Sequence, residues 1–162
     1  MPEITPNAPR LRPARLEDLD VVLPWAPDAE AMRMWAGPTI GFPVARQQFW
    51  ENLHHVTGEA FVLCAAARDE IVGFGQVMHR EDDFAHLARI IVSPTRRGEG
   101  LGRTLCRELL RVAPRFLSVR AFSLYVYPEN VRARALYRSL GFVDTREERG
   151  FLRMEKPGLD LK

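Results

Sequence analysis

Apolar and polar positions change period several times along the chain, and each change predicts an element. Residues 60–67 are apolar without alternation, as in a central strand covered on both faces. Arg68-Asp69-Glu70 interrupts the run and residues 71–78 resume it, which predicts a hairpin. Gly73 and Gly75 inside the second strand imply a bend or a close approach of backbone. Ile90, Ile91 and Val92 are β-branched and predict another strand, stopped by Pro94. From Leu101 the period becomes helical. Leu101, Leu105, Cys106, Leu109, Leu110, Val112 and Ala113 share one half of a helix, and Arg103, Thr104, Arg107, Glu108 and Arg111 share the other. Residues 121–127 predict a strand, Asn130 a helix N-cap, and Gly141 the end of that helix. Residues 142–146 and 151–155 predict a closing hairpin.

The N-terminal part is different in texture. A weakly alternating segment at 10–16 reads as a first strand, followed by helical pieces at 17–23, 28–36 and 45–55. Trp25, Trp35 and Trp50 all fall here and read as core filling between short helices, with a pocket lining as the alternative. His54 and His55 are adjacent and read as a solvated pair, because neighbours in sequence cannot share a helix face. Residues 1–9 and 157–162 read as loose tails of a single domain spanning 1–162.

Composition narrows the classes. The 162 residues suit one domain with a real core, and 46% apolar with 27% charged residues is ordinary for a globular protein. A net charge of +2 argues for neither nucleic acid nor membrane as partner. Arg103, Arg107, Arg111 and Arg115 recur every four residues, but Glu108 and Pro114 interrupt them, so they read as a solvated face rather than a nucleic-acid interface. Glu81-Asp82-Asp83 reads as a solvated loop. Cys64 and Cys106 sit in apolar segments, give no metal spacing, and read as small buried hydrophobes. With no apolar run of membrane-spanning length and no leader pattern, the expected location is cytoplasmic.

The chemistry begins between strand and helix. Gly98, Gly100 and Gly102 fill alternate positions just before the amphipathic helix. Such a helix start offers unpaired amides and a positive dipole end to an anion, above all a phosphate. The dinucleotide pattern G-x-G-x-x-G fails, since its last position falls on Arg103 or Leu105, and no Gly-Lys-Ser/Thr occurs. What remains is R-x-x-G-x-G, filled by Arg97, Gly100 and Gly102.

That loop resembles the pyrophosphate loop of the GNAT N-acetyltransferase superfamily. The segment with Asn130, Ala133, Tyr137 and Gly141-Phe142 is similar to the family's second signature, N-x-x-A-x-x-x-Y followed by G-F. Together the two signatures cover about residues 84–143. The resemblance implies an α/β (α+β) fold: a mixed, strongly twisted central sheet flanked by helices, splayed between the strand before the glycine loop and the strand after its helix. Acetyl-CoA, the acyl-donor cosubstrate, would lie in that gap. Its pyrophosphate would take amides from the run Arg97, Gly98, Glu99, Gly100, Leu101, Gly102 and Arg103, and Arg103 or Arg96 would reach the phosphates. Its pantetheine would pair with Ile90, Ile91 and Val92, with a bulge turning the amide of Ile91 or Val92 towards the thioester carbonyl. Asn130 would contact the cofactor near the pantetheine.

Family resemblance also implies a transferase that passes the acetyl group to an amine by direct attack in a ternary complex. Tyr137 stands where the family commonly places the acid for the leaving thiolate; a phenol of pKa about 10 can protonate a thiolate of about 8.5. His86 stands where some members carry a base, and an ordinary imidazole titrates near neutrality. No metal is expected, and a homodimer is left open. A silent acyl-CoA sensor and an arginine-rich nucleic-acid binder are the rival classes. The acceptor pocket would come from residues 17–58 and 144–153, which match no acceptor motif. Small amine, antibiotic, amino acid and protein N-terminus all stay open.

Overall fold

The apolar run becomes β2 (Gly58–Ala65), buried without a break from Ala60 to Cys64, and its return strand is β3 (Glu70–Arg80), longer at both ends than its apolar stretch. The computed structural model describes residues 7–158 of the chain. β1 (Arg10–Pro13) lies antiparallel outside β2, and β4 (Phe84–Val92) antiparallel beside β3. β5 (Ala121–Val126), β6 (Val143–Glu148) and β7 (Phe151–Pro157) complete a sheet of seven strands in the order β1-β2-β3-β4-β5-β7-β6. Only β4 and β5 run parallel. This is the mixed, helix-flanked sheet that the family resemblance implied.

Each face of the sheet has its own core. One is covered by α4 (Leu101–Val112), which buries Leu101, Leu105, Cys106 and Leu109, four of the seven residues on its predicted apolar half. Gly75 is required here: a Cβ at that position would stand 2.7 Å from Leu109 Cδ1. Arg107, Arg111 and Arg115 are exposed, on the solvated face expected of them. The other face carries α1 (Leu19–Val22), α2 (Ala29–Ala36) and α3 (Arg46–Leu53), whose Leu19, Val22, Met32, Phe49 and Leu53 pack on Val62, Phe74 and Ile91. Asp28 caps α2 by accepting from Ala31 N at 2.8 Å, and α2 ends at Gly37 with φ 88°. Arg12 of β1 grips the buried Asp18 carboxylate through two bonds of 2.8 and 2.9 Å, tying the first strand to α1.

α5 (Val131–Ser139) starts at Asn130, whose Oδ1 accepts from Ala133 N at 3.3 Å, and it ends before Gly141. β6 and β7 join through Arg149 and Gly150, both at positive φ, which suits a two-residue hairpin turn. The tail expected from 157 begins later. Pro157 pairs with Ala121 and Gly158 N donates to Arg120 O, because β5 starts early enough to offer them partners. The remaining tail positions, 1–6 and 159–162, lie outside the described residues.

The parallel ladder is short. It runs from Phe84↔Ala121 to Leu87↔Leu124 and stops. Beyond it β4 keeps only β3 as partner, while β5 continues with β7. Strand twist then carries the two ends apart, leaving one edge of β4 unpaired. Within that free stretch, Arg89 and Ile90 stand opposite the single residue Gly75, a β-bulge with Arg89 at φ 52°.

Candidate active site

Gly100 opens α4 in the left-handed conformation, φ 79°, where its missing Cβ matters most. Ahead of it, Pro94–Arg96 makes a single tight turn. A cavity of about 680 Å³ opens between the end of β4 and the start of α5. Ile90, Ile91 and Val92 form one wall and Asn130, Arg132, Ala133 and Leu136 the other, with Arg96, Arg97, Gly98 and Gly100–Gly102 at its base. Trp25, Pro27, Ala31, Met34 and Trp35 close it from the N-terminal side.

Nine of the residues expected to bind the cofactor therefore share one cavity: Ile90, Ile91, Val92, Arg97, Gly98, Gly100, Leu101, Gly102 and Asn130. Two expected residues do not line it. Glu99 turns to Arg96, with 3.0 Å between Oε2 and Nε, and Arg103 lies further round α4. Arg96 itself, held by Glu99 and by Glu70 at 2.7 Å, does line the base. Arg132 was not foreseen; its only signal was its place in the first turn of the helix that Asn130 caps.

The bulge also moves the main-chain assignment. The ladder breaks at Arg89–Ile90, one residue before the Ile91 or Val92 pair named from the sequence. Ser93 N donates to Val72 O at 2.9 Å, so alternation turns the Ile91 main chain towards β3 and the Val92 main chain towards the gap. Arg97 Nε reaches Val92 O from that side at 3.3 Å. Ile91 is thus the residue least able to offer a free amide.

A second, smaller cavity of about 260 Å³ adjoins the first, and Met34, Trp35, Ile90, Asn130 and Ala133 line both. Tyr137, His86, Arg80, Arg89, Tyr125, Tyr127 and Phe151 line only the smaller one. Trp35 is no simple core residue. It stacks on Phe49 at 5.1 Å and meets Phe74 edge-on, while its Nε1 donates to Arg89 O at 2.8 Å and ties α2 to the bulge.

Tyr137 and His86 both reach the smaller cavity, in different electrostatic states. Burial, with Cys106 nearby, pushes the Tyr137 phenol well above its ordinary value. The phenol stays protonated at any physiological pH. His86 departs from expectation. It is 2% exposed, and its Nδ1 lies 2.8 Å from Ser123 Oγ. Burial first, then the charges of Arg80, Arg153 and Arg89, push its pKa down to about 3. This is far from the near-neutral titration predicted from an ordinary imidazole, because the charged form is buried away from water and would add a fourth positive charge to those three arginines.

The glycine end of the larger cavity suits an anion, and the free edge of β4 beside it can pair with the amides of an extended ligand. These features fit the fold class of the acyl-CoA-dependent transferases. The acetyltransferase (GNAT) family model matches residues 27–142, and the chain belongs to that family. Among curated relatives, spermidine N(1)-acetyltransferase of Escherichia coli (strain K12) is 28% identical over 137 residues, 82% of this chain and 72% of that protein. Mycothiol acetyltransferase of Kineococcus radiotolerans is 43% identical over 84 residues, 51% of this chain and 26% of that protein. The structure of spermidine N-acetyltransferase from Vibrio cholerae in complex with CoA and spermine superposes with a TM-score of 0.75 at 22% identity, covering 93% of this chain and 95% of that one. Among the described residues no group of His, Cys, Asp or Glu is arranged to hold a metal ion, and no helix is long and apolar enough to cross a membrane.

Proposed function

We propose that the protein transfers the acetyl group of acetyl-CoA to the amine of a small acceptor by direct attack, with both substrates bound at once. The observation that carries this reading is the meeting of the two cavities at Ile90, Asn130 and Trp35. Donor and acceptor enter from different sides and touch at one place.

In this reading the amides opening α4 cradle the pyrophosphate, with Arg96, Arg97 and Arg132 adding positive charge. The free edge of β4, with the Val92 main chain turned outward, pairs with the amides of the pantetheine. A main-chain amide from the bulge, at Ile90, or from Val92 faces the thioester oxygen and stabilises the negative charge that develops there. The Asn130 side chain accepts from Ala133 through Oδ1, which leaves its nitrogen free to donate to the pantetheine.

As the new C–N bond forms and the C–S bond breaks, Tyr137 gives its proton to the departing sulfur, and the second proton that the nitrogen sheds on becoming an amide restores the phenol. The desolvation that raises the phenol acts in the same direction on a thiolate leaving into the same enclosure, which favours the protonated thiol. The amine must shed its own proton first. His86, held near pKa 3, is too weak a base for that step, so the proton leaves through solvent at the cavity mouth.

Thiol release from acetyl-CoA across a panel of amines tests the reading. Release that depends on at least one amine is the expected result. Tight acetyl-CoA binding with no amine-dependent release would instead leave a silent acyl-CoA sensor.

A further inference from the structure

The smaller cavity carries charge of one sign. Arg80 and Arg89 line it, and among the described residues none of the lining is Asp or Glu. Arg153 stands close enough to act on His86 as well, but it has a partner in Glu155 at 3.5 Å. Glu148, which accepts from the Tyr125 hydroxyl at 3.3 Å, is engaged by Arg146 at 3.1 Å. Arg80 and Arg89 are left without a carboxylate partner among the described residues.

Arg89 is the more telling of the two. One of its terminal nitrogens donates to Gln76 Oε1 and the other to Asn52 Oδ1 at 3.1 Å. Gln76 is itself fixed, because its Nε2 donates to Leu53 O at 2.7 Å, so its oxygen must face the guanidinium. Both partners are neutral carboxamides. They hold the guanidinium in place without cancelling its charge, and Arg89 Nε is buried with no partner at all. A partly buried cation without a counter-ion is costly, and an incoming anion relieves that cost. The guanidinium also sits on the bulge residue that immediately precedes Ile90, where donor and acceptor meet. The lining also carries a group of aromatic rings: Trp35, Tyr125, Tyr127 and Phe151.

We infer that the acceptor is an amine bearing its own carboxylate, an α-amino acid, whose carboxylate is received at Arg80 and Arg89 while its side chain lies against the aromatic lining. The inference rests on the transferase reading above and narrows its acceptor. A polyamine, which brings only positive charge, is repelled here. A protein N-terminus is excluded too, since its α-carboxyl has become an amide.

The test follows thiol release with free L-amino acids, their α-carboxamides and spermidine. The expected kcat/KM for the best amino acid is at least tenfold above its carboxamide, with spermidine lowest. Arg80→Gln, an exposed position that the fold tolerates, narrows that ratio at least threefold. Carboxamides or spermidine used as well as the acids, or a ratio unmoved in Arg80→Gln, overturns the inference while leaving the transferase standing. If no amine is acetylated, the transferase reading fails, and calorimetry on the CoA-loaded protein with N-acetyl-L-phenylalanine and N-acetyl-L-phenylalaninamide decides the rest. At least tenfold tighter binding of the carboxylate supports an anion site; equal or absent binding overturns it.

Discussion

The two cavities meet at five residues, yet they are built by opposite means. The larger draws its base and both walls from two short runs, 90–102 and 130–136, and offers main chain: the opening amides of α4 and the free edge of β4. The smaller draws on more of the chain: α2 and the segment after it, β3, β4, β5, α5 and β7. A site made of backbone needs glycines, a cap and a strand that stops, and these leave marks in sequence. A site made of side chains needs only that topology bring distant residues together. In the proposed function, the first kind holds the part of the reaction shared by many acceptors, and the second selects the acceptor.

The sharpest way to separate the two is Tyr137→Phe. Removing the phenol oxygen takes the proton donor and leaves the apolar ring that packs on Phe142 at 6.2 Å. A loss of about 100-fold or more in kcat is expected, the ordinary range for a positioned acid, with CoA affinity within twofold. Single-turnover kinetics beside calorimetric titration of CoA measures both. A rate close to wild type would remove Tyr137 from the chemistry.

Gly102→Val attacks the other cavity. A Cβ there stands 3.3 Å from Leu136 Cδ2 and 3.8 Å from Val92 Cγ2, so the added methyl groups bridge the two walls. CoA affinity should fall by about 100-fold, or about 2.7 kcal/mol. Far-ultraviolet circular dichroism should show the same helix content, since valine costs a helix well under 1 kcal/mol. Unchanged affinity would mean that the cleft between β4 and α5 does not hold the cofactor.

The contrast also explains what the sequence could reveal. The glycine loop, the Asn130 cap and the apolar half of α4 each follow from local rules, so the larger cavity was legible nearly residue by residue. Glu99 and Arg103 stand apart from the cavity lining, because adjacency in a loop does not say which way a side chain turns. The bulge at Arg89–Ile90 could not be placed from β4 alone, because register depends on β3, in particular on Gly75. Trp35 read as core filling, and it does fill core against Phe49, but nothing local showed that its other face would line both cavities. Arg80 and Arg89 had no signal, because an arginine without a counter-ion can be recognised only once its neighbours are known.

His86 gives the smallest expected effect on rate and the subtlest test of where one cavity's chemistry ends. Its sequence position suggested a base, whereas its surroundings lower its pKa and bond its Nδ1 to Ser123 Oγ. His86→Asn keeps a polar atom near Nδ1 for that hydroxyl. If the amine loses its proton to solvent, kcat/KM should change less than about threefold and the acidic limb of its pH profile should not move. Stability should change in its pH dependence instead. Unfolded, His86 takes up a proton near pH 6.5; folded, it does so only near pH 3. Between those values the unfolded chain binds more protons, so the native state loses stability as the pH falls, by up to about 1.4 kcal/mol per unit for this one group. Urea unfolding at pH 7, 6 and 5 should therefore show a shallower decline in His86→Asn than in the wild type. Parallel declines, together with a lost acidic limb in the rate, would return His86 to the catalytic role and place proton removal inside the smaller cavity.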